Sequence, residues 1–159
     1  MELDRIDNEI LAQLQKNARL PNKELAARLG LAPSTCLERV RRLGAAGVFQ
    51  SFTARVDPKV LGIGLQAMIA LRLSRHDRNM VLAFRAHALA QPEVVRVYHM
   101  AGRNDFLLHV AVRDTEHLRE IALSAFSTRE EVVHMETSLI YETVESPALP
   151  SYLGFEEGI

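Results

Sequence analysis

The stretch NKELAARLGLAPSTCLERVRR, residues 22–42, leaves little choice of local fold. In its first half Leu25, Ala26 and Leu29 recur at helical spacing and share one face. Asn22 is placed to act as an N-cap, and Gly30 stands where a helix ends through a positive φ. Leu31, Ala32 and Pro33 turn the chain. Pro33 suits the first turn of a second helix, where its missing N–H is not needed. On that helix Leu37, Val40 and Leu43 make an apolar stripe, with Cys36 at its edge. The opposite arc holds Ser34, Thr35, Glu38, Arg39 and Arg42, with Arg41 flanking it. Two helices joined by a glycine-containing turn, the second basic and polar outward, describe a helix-turn-helix.

The formal net charge of −1 argues against a nucleic-acid partner until the charge is divided along the chain. Residues 1–50 carry eight Lys/Arg and six Asp/Glu, whereas residues 51–159 carry eleven and fourteen. Within residues 22–42 the balance is five against two, so the positive charge is concentrated where a footprint on phosphate belongs. An apolar fraction of 48% and a charged fraction of 25% are those of an ordinary globular protein. A length of 159 residues accommodates one or two small domains. The single Cys36 excludes an intrachain disulfide and fits a reducing compartment. The opening MELDRIDNEI lacks the pattern of a signal peptide, and no apolar run reaches the roughly 18–20 residues that span a bilayer. The expectation is a cytoplasmic protein.

A first helix is predicted from roughly Asp4 to Lys16, with Ile6, Ile10, Leu11 and Leu14 on one face. Asp4 can cap it, with Asp7 three residues on beside the exposed N–H groups. Its apolar face completes a three-helix unit with Leu25, Leu29, Leu37 and Val40. Residues 48–56, VFQSFTARV, are β-rich and read as either a small wing or an extended arm. Asp57-Pro58 stops that segment and starts a single turn ending before Gly62, so the boundary falls near residues 57–64. Beyond it, strands are predicted at 65–74, 94–101, 105–113 and 131–144, with helices at 77–91 and 115–126. Val81, Phe84 and Ala88 line one helix, and Leu118, Ile121, Ala122 and Ala125 the other. Phe106, Leu108, Val110 and Val112 share one side of the third strand, joined to the second through a short turn at Gly102-Arg103-Asn104. The order βαββαβ is the ferredoxin-like split arrangement, an antiparallel sheet with helices on one face. The expected architecture is α+β: residues 1–56 a (winged) helix-turn-helix with its arm, 63–145 a ferredoxin-like domain, and 146–159 a loose or partner-held tail.

LDRIDNEIL at 3–11, LAPSTCLERVRRL at 31–43, the strand-like arm and the βαββαβ half together resemble the leucine-responsive regulatory protein (Lrp)/AsnC family. These are bacterial and archaeal transcription regulators that sense amino acids and related metabolites. The resemblance covers nearly all of residues 1–145. It implies an N-terminal winged helix-turn-helix, a hinge strand, and a C-terminal domain for effector binding and oligomerisation. Dimers assembling into tetramers, octamers or larger rings, with effector pockets between subunits, are implied as well. Two departures stand out. Ala32 occupies the place of a serine before the recognition-helix proline, which suggests capping one turn inward by Ser34 or Thr35, with Glu38 closing a box from Thr35. In the hairpin turn, Gly102-Arg103-Asn104-Asp105 keeps the first Gly and last Asp of the family's Gly-Asp/Glu-x-Asp but replaces an acid with a base.

The DNA-contact set is Ser34, Thr35, Glu38, Arg39, Arg41 and Arg42, with Asn22 and Lys23 at the start of the preceding helix. Arginine pairs with guanine edges or phosphate, and hydroxyls near a helix N-terminus suit phosphate oxygens. Glu38 can accept from cytosine N4 or hold Arg42 at i+4 spacing. Taken alone, the same residues equally describe a solvated, salt-bridged helix face. The effector-binding candidates are Gly102, Arg103, Asn104 and Asp105. A glycine turn exposes backbone N–H groups to a carboxylate, Asp105 can balance an ammonium, and Arg103 can add an ionic contact. By itself this reads as an ordinary hairpin turn; the resemblance brings the ligand reading forward.

Among His76, His87, His99, His109, His117 and His134, only His99 and His109 are placed to face each other across the hairpin, and no metal-ligand spacing is present. No metal or cofactor is expected. Cys36 reads as a packing residue, although a helix N-terminus among arginines can lower a thiol pKa. No GxSxG, Walker or GxGxxG pattern supports catalysis. The reading is a sequence-specific DNA-binding transcriptional regulator, not an enzyme, whose partners are double-stranded DNA, a small-molecule effector (an amino acid foremost) and copies of itself. The alternatives are a DNA-compacting architectural protein of low specificity and a metabolic enzyme built on the ferredoxin-like half.

Overall fold

The computed structural model describes residues 2–75 and 77–152. They form two compact units, residues 2–54 with 144–152, and Arg55–Thr143. His76 and residues 153–159 of the tail lie outside the described residues.

In the first unit α1 (Arg5–Lys16), α2 (Asn22–Arg28) and α3 (Pro33–Ala45) enclose one core. Asp4 caps α1 in a reciprocal box: Asp7 N–H donates to its side chain, and Asp7 in turn accepts from the Asp4 N–H. Ile10, Leu14, Leu20, Leu25, Ala26, Cys36 and Leu43 are buried, with Ile6, Leu11, Leu29 and Val40 packed around them. The predicted stripe on α3 is rotated. Cys36 and Leu43 are fully buried, whereas Leu37 is exposed. Cys36, Val40 and Leu43 follow i, i+4, i+7 spacing, which leaves Leu37 off the face that meets α1 and α2. Gly30 has φ of 64°, and Pro33 occupies the first turn of α3, both as predicted.

The β-rich segment after α3 forms no strand. Val48 and Phe49 pack on the three-helix core, Phe49 meets the Phe52 ring at 5.3 Å, and Phe52 and Val56 are exposed. A strand needs a neighbouring strand to take its backbone hydrogen bonds, and this segment has none among the described residues. Of the tail, residues 144–152 belong to this unit. Leu149 N–H donates to Gln15 Oε1 at 2.8 Å, and the Ser151 hydroxyl reaches Asn8 Oδ1 at 3.3 Å, both partners on α1.

The second unit opens with a 3₁₀ turn, Pro58–Leu61, capped by Asp57 and closed by Gly62 at φ of 76°. Then come β1 (Leu65–Leu73), α4 (Arg78–Leu89), β2 (Val94–His99), β3 (Phe106–Val112), α5 (Thr115–Ile121) and β4 (Val132–Leu139). The sheet is antiparallel in the order β2-β3-β1-β4, and α4 and α5 are capped by Asp77 and Asp114. Strict alternation on β3 buries Phe106, Leu108, Val110 and Val112 against the helices, together with Ala67, Ile69 and Leu71 of β1. Phe84 of α4 sits between Phe106 (4.8 Å) and Phe126 (6.3 Å). Each such fully buried side chain contributes roughly 1.5–3 kcal/mol. Two boundaries differ from expectation. The helix of α5 continues as a π-type segment, Ala122–Ser127, where the Ser124 and Thr128 hydroxyls donate to the Glu120 and Ser124 carbonyls and compete with the regular ladder. The last strand ends at Leu139 rather than at residue 144: Leu139 pairs with Ala67, and Ile140 N–H makes a final bond to the Gln66 carbonyl.

Candidate nucleic-acid interface and effector loop

The buried Cys36–Leu43 line fixes which residues of α3 face outward. At about 100° per residue, Ser34, Glu38 and Arg41 occupy the arc opposite Cys36, with Thr35 and Arg42 to one side. Ser34, Thr35, Glu38, Arg41 and Arg42 are all exposed, whereas Arg39 is half-buried at the α1 border. Arg41, expected as a flank, is therefore central, and Arg39 is the flank.

Arg39 and Arg42 are not free side chains. Arg39 Nη1 donates to Asp4 Oδ2 at 2.6 Å and to Asp7 Oδ1 at 2.9 Å, and Arg42 Nη2 donates to Asp7 Oδ2 at 2.5 Å. The Asp7 side chain is 0% exposed, against 49% for Arg42 and 26% for Arg39. The Arg39 hydrogen bond, helped by the Asp7 N–H, holds the Asp4 carboxyl below its usual range; Asp4 and then Asp7 push the Arg39 guanidinium up. The pairing suggested between Glu38 and Arg42 gives way to Asp7, because a buried carboxylate, cut off from water, competes better for a cation than an exposed one.

The capping expectations also change. Pro21, not Asn22, is the N-cap of α2, and the Asn22 Nδ2 instead donates to the Pro33 carbonyl at 2.8 Å, tying α2 to the first turn of α3. Helix α3 starts at Pro33 with Ala32 as N-cap and no side-chain hydrogen bond, so neither Ser34 nor Thr35 caps it. Lys23 is exposed beside this turn. Burial raises the Cys36 thiol pKa, which removes the activated-thiol alternative.

In the hairpin, Gly102 takes φ of 133°, a region open to glycine, and Gly102 and Arg103 are exposed. Asp105 is buried at 4% exposure: its Oδ2 accepts the Leu73 N–H at 2.6 Å, and its own N–H donates to the Leu71 carbonyl at 2.8 Å. Its carboxylate thus joins the start of β3 to β1, a structural task alongside the counter-charge role expected of it. Asn104 stands differently. Its Oδ1 is buried with no hydrogen-bond partner among the described residues. His99 and His109 do not face each other. His99 pairs with Phe106 and stacks on its ring at 5.0 Å, while His109 lies opposite Arg96 and bonds Gln66 Oε1 at 2.7 Å. The register places them on opposite faces of the sheet.

The comparisons with known proteins agree with both halves. Residues 3–50 match a winged helix-turn-helix DNA-binding model and residues 66–149 the Lrp/AsnC ligand binding domain. The HTH-type transcriptional regulator AldR of Mycolicibacterium smegmatis is 46% identical over 141 residues, 89% of this chain and 82% of the relative. The leucine-responsive regulatory protein of Escherichia coli K12 is 37% identical over 120 residues, 76% of this chain and 73% of the relative. Among solved structures, the transcriptional regulator NMB0573 of Neisseria meningitidis, crystallised with L-methionine, superposes with a TM-score of 0.85 at 31% identity, covering 93% of this chain and 96% of that one. With a DNA-binding helix-turn-helix on one unit and a metabolite-binding ferredoxin-like fold on the other, this chain belongs to the Lrp/AsnC family of transcriptional regulators.

Proposed function

We propose that α3 enters the major groove and reads its site through Ser34, Glu38 and Arg41, with Thr35, Lys23, Arg39 and Arg42 on the phosphates. The observation that carries this is the burial of Cys36 and Leu43, which turns the Ser34–Glu38–Arg41 arc outward. Self-association is supported by the sheet face opposite the helices, where Met68, Ala70, Leu107 and Ala111 stand together around the Gln66–His109 bond. Pairing of two such faces gives a dimer whose recognition helices address half-sites about one helical turn, ~10 bp, or a multiple of it apart. The protein works as a binding switch and not as an enzyme.

The effector is a small amino acid or related metabolite held at the Gly102–Asp105 turn. The unpartnered Asn104 Oδ1 supports this reading, since a buried acceptor without a donor is what an ammonium group would satisfy. Gly102 offers backbone N–H to the carboxylate, and Arg103 adds a cation at the rim. Effector binding shifts DNA affinity by favouring one of two assemblies.

Two measurements test the proposal. Duplexes selected from a random pool should bind far more tightly than scrambled ones, with affinity falling steeply as salt rises; a ratio near one would favour the DNA-compacting alternative. Thermal unfolding against the twenty amino acids should show a shift for one or two of them, about 2.7 kcal/mol at a hundredfold excess over Kd. A flat panel would remove amino acids as effectors.

A further inference from the structure

Asp7 is the fully buried carboxylate of the first unit, and nothing in the family match assigns it a role. Both its oxygens are taken by α3, Oδ1 by Arg39 and Oδ2 by Arg42. Asp4, half-exposed, adds a second hold on Arg39. Capping α1 requires only the exchange between Asp4 and Asp7; it does not require two arginines from another helix. Stability does not select such a cluster over apolar packing of the same volume either, which is commonly as good. The arrangement does fix where two guanidinium groups lie. Each has five N–H donors in a rigid fork, so a group held from the α1 side still presents donors to a ligand, and Arg42 is half-exposed.

We propose that Asp7 is a positioning residue of the DNA interface, holding Arg39 and Arg42 side by side along the α1 edge of α3 as a phosphate clamp that sets the docking angle of the reading arc Ser34, Glu38 and Arg41. The inference rests on the DNA-binding reading above and adds a division of labour within it. Two recognition-helix arginines are committed to phosphate by a residue that never touches DNA. Only Arg41 remains free to read a base edge.

Charge and position make opposite predictions here, which gives a sharp test. Asp7→Asn removes a negative charge from the DNA-binding unit, so electrostatics alone predicts equal or tighter binding to every duplex and an equal or steeper salt dependence. Positioning predicts the reverse for the preferred site. The ratio of binding to a duplex selected by the wild type over a scrambled duplex should fall by roughly tenfold, the scale of one good base contact. The slope of log K against log salt on the selected duplex should become shallower by about 1–2, as for one or two lost phosphate contacts. Asp4→Asn serves as the second variant, since asparagine caps a helix as well as aspartate does while one of the two ion pairs on Arg39 is lost. It should lower the ratio by roughly threefold, and it decides the matter if Asp7→Asn does not fold. Folded variants with a wild-type ratio and an unchanged or steeper slope would overturn the positioning role while leaving DNA recognition intact. A wild type that binds no DNA would overturn both.

Discussion

The Asp105 carboxylate accepts the Leu73 backbone N–H at 2.6 Å, at the end of a turn whose Gly102 and Arg103 are exposed. Asp105 also donates its own N–H to Leu71, so one residue closes the end of the β1–β3 ladder. Replacing it with Ala leaves a buried donor unsatisfied. Asp105→Ala should lose about 1–3 kcal/mol of stability, read as a lower urea midpoint at unchanged m-value. A loss of effector response with unchanged stability would return Asp105 to the ligand.

Arg41 and Arg39 should separate binding from stability. Arg41 is exposed, so Arg41→Ala should weaken binding to the selected duplex by roughly 1–3 kcal/mol and leave the thermal midpoint within about a degree or two. Arg39→Ala strips Asp7 and Asp4 of a partner and should lower the midpoint as well as the affinity. Calorimetry alongside DNA titration distinguishes the two.

Gly64 is a glycine for lack of room. Its N–H donates to the Val112 carbonyl, and a Cβ there would lie 2.3 Å from the Arg113 carbonyl oxygen. Gly64→Ala should cost roughly 1–3 kcal/mol, as backbone of β3 must shift. Gly44→Ala, within α3 and meeting only the Phe49 ring at 4.0 Å, should instead stabilise by about 0.4–1 kcal/mol. Chemical denaturation of the pair gives both signs in one experiment.

Burial, reinforced by the positive charge of Arg96, lowers the His109 pKa below the ordinary 6.5. Below about pH 6.5 the unfolded chain then takes up a proton at this position that the folded chain refuses, so stability falls as pH falls. His109→Gln, which can keep a hydrogen bond to Gln66, should show a smaller drop in thermal midpoint than the wild type between about pH 7.5 and pH 5.5. Equal drops would place the pH dependence elsewhere.

Much of the architecture was legible because it is written in local terms. The alternation from Phe106 to Val112, the caps at Asp4 and Asp57, and the positive φ at Gly30 each depend on residues close in sequence. What was not legible depends on partners far away. The pairing of Asp7 with Arg39 and Arg42 spans more than thirty positions and follows only once α1 lies against α3. The same packing rotates the α3 stripe from Leu37 to Cys36, since a lone helix does not reveal which edge of an apolar arc its neighbours will cover. The bond from Leu73 to Asp105 was not legible either, since it appears only when the neighbouring strand is in place. The wing reading of residues 48–56 failed for the converse reason: the segment has the composition of a strand without a strand beside it among the described residues.

The chain passes from the first unit to the second after Ala54 and returns after Thr143. Helix α1 is thus braced by Leu149 and Ser151, residues more than a hundred and thirty positions away on the other side of the sensing domain in the sequence. During synthesis, which runs from N- to C-terminus, α1 is therefore made before the sensing domain and its brace after it. Until residues 149–151 emerge, α1 stands without that brace.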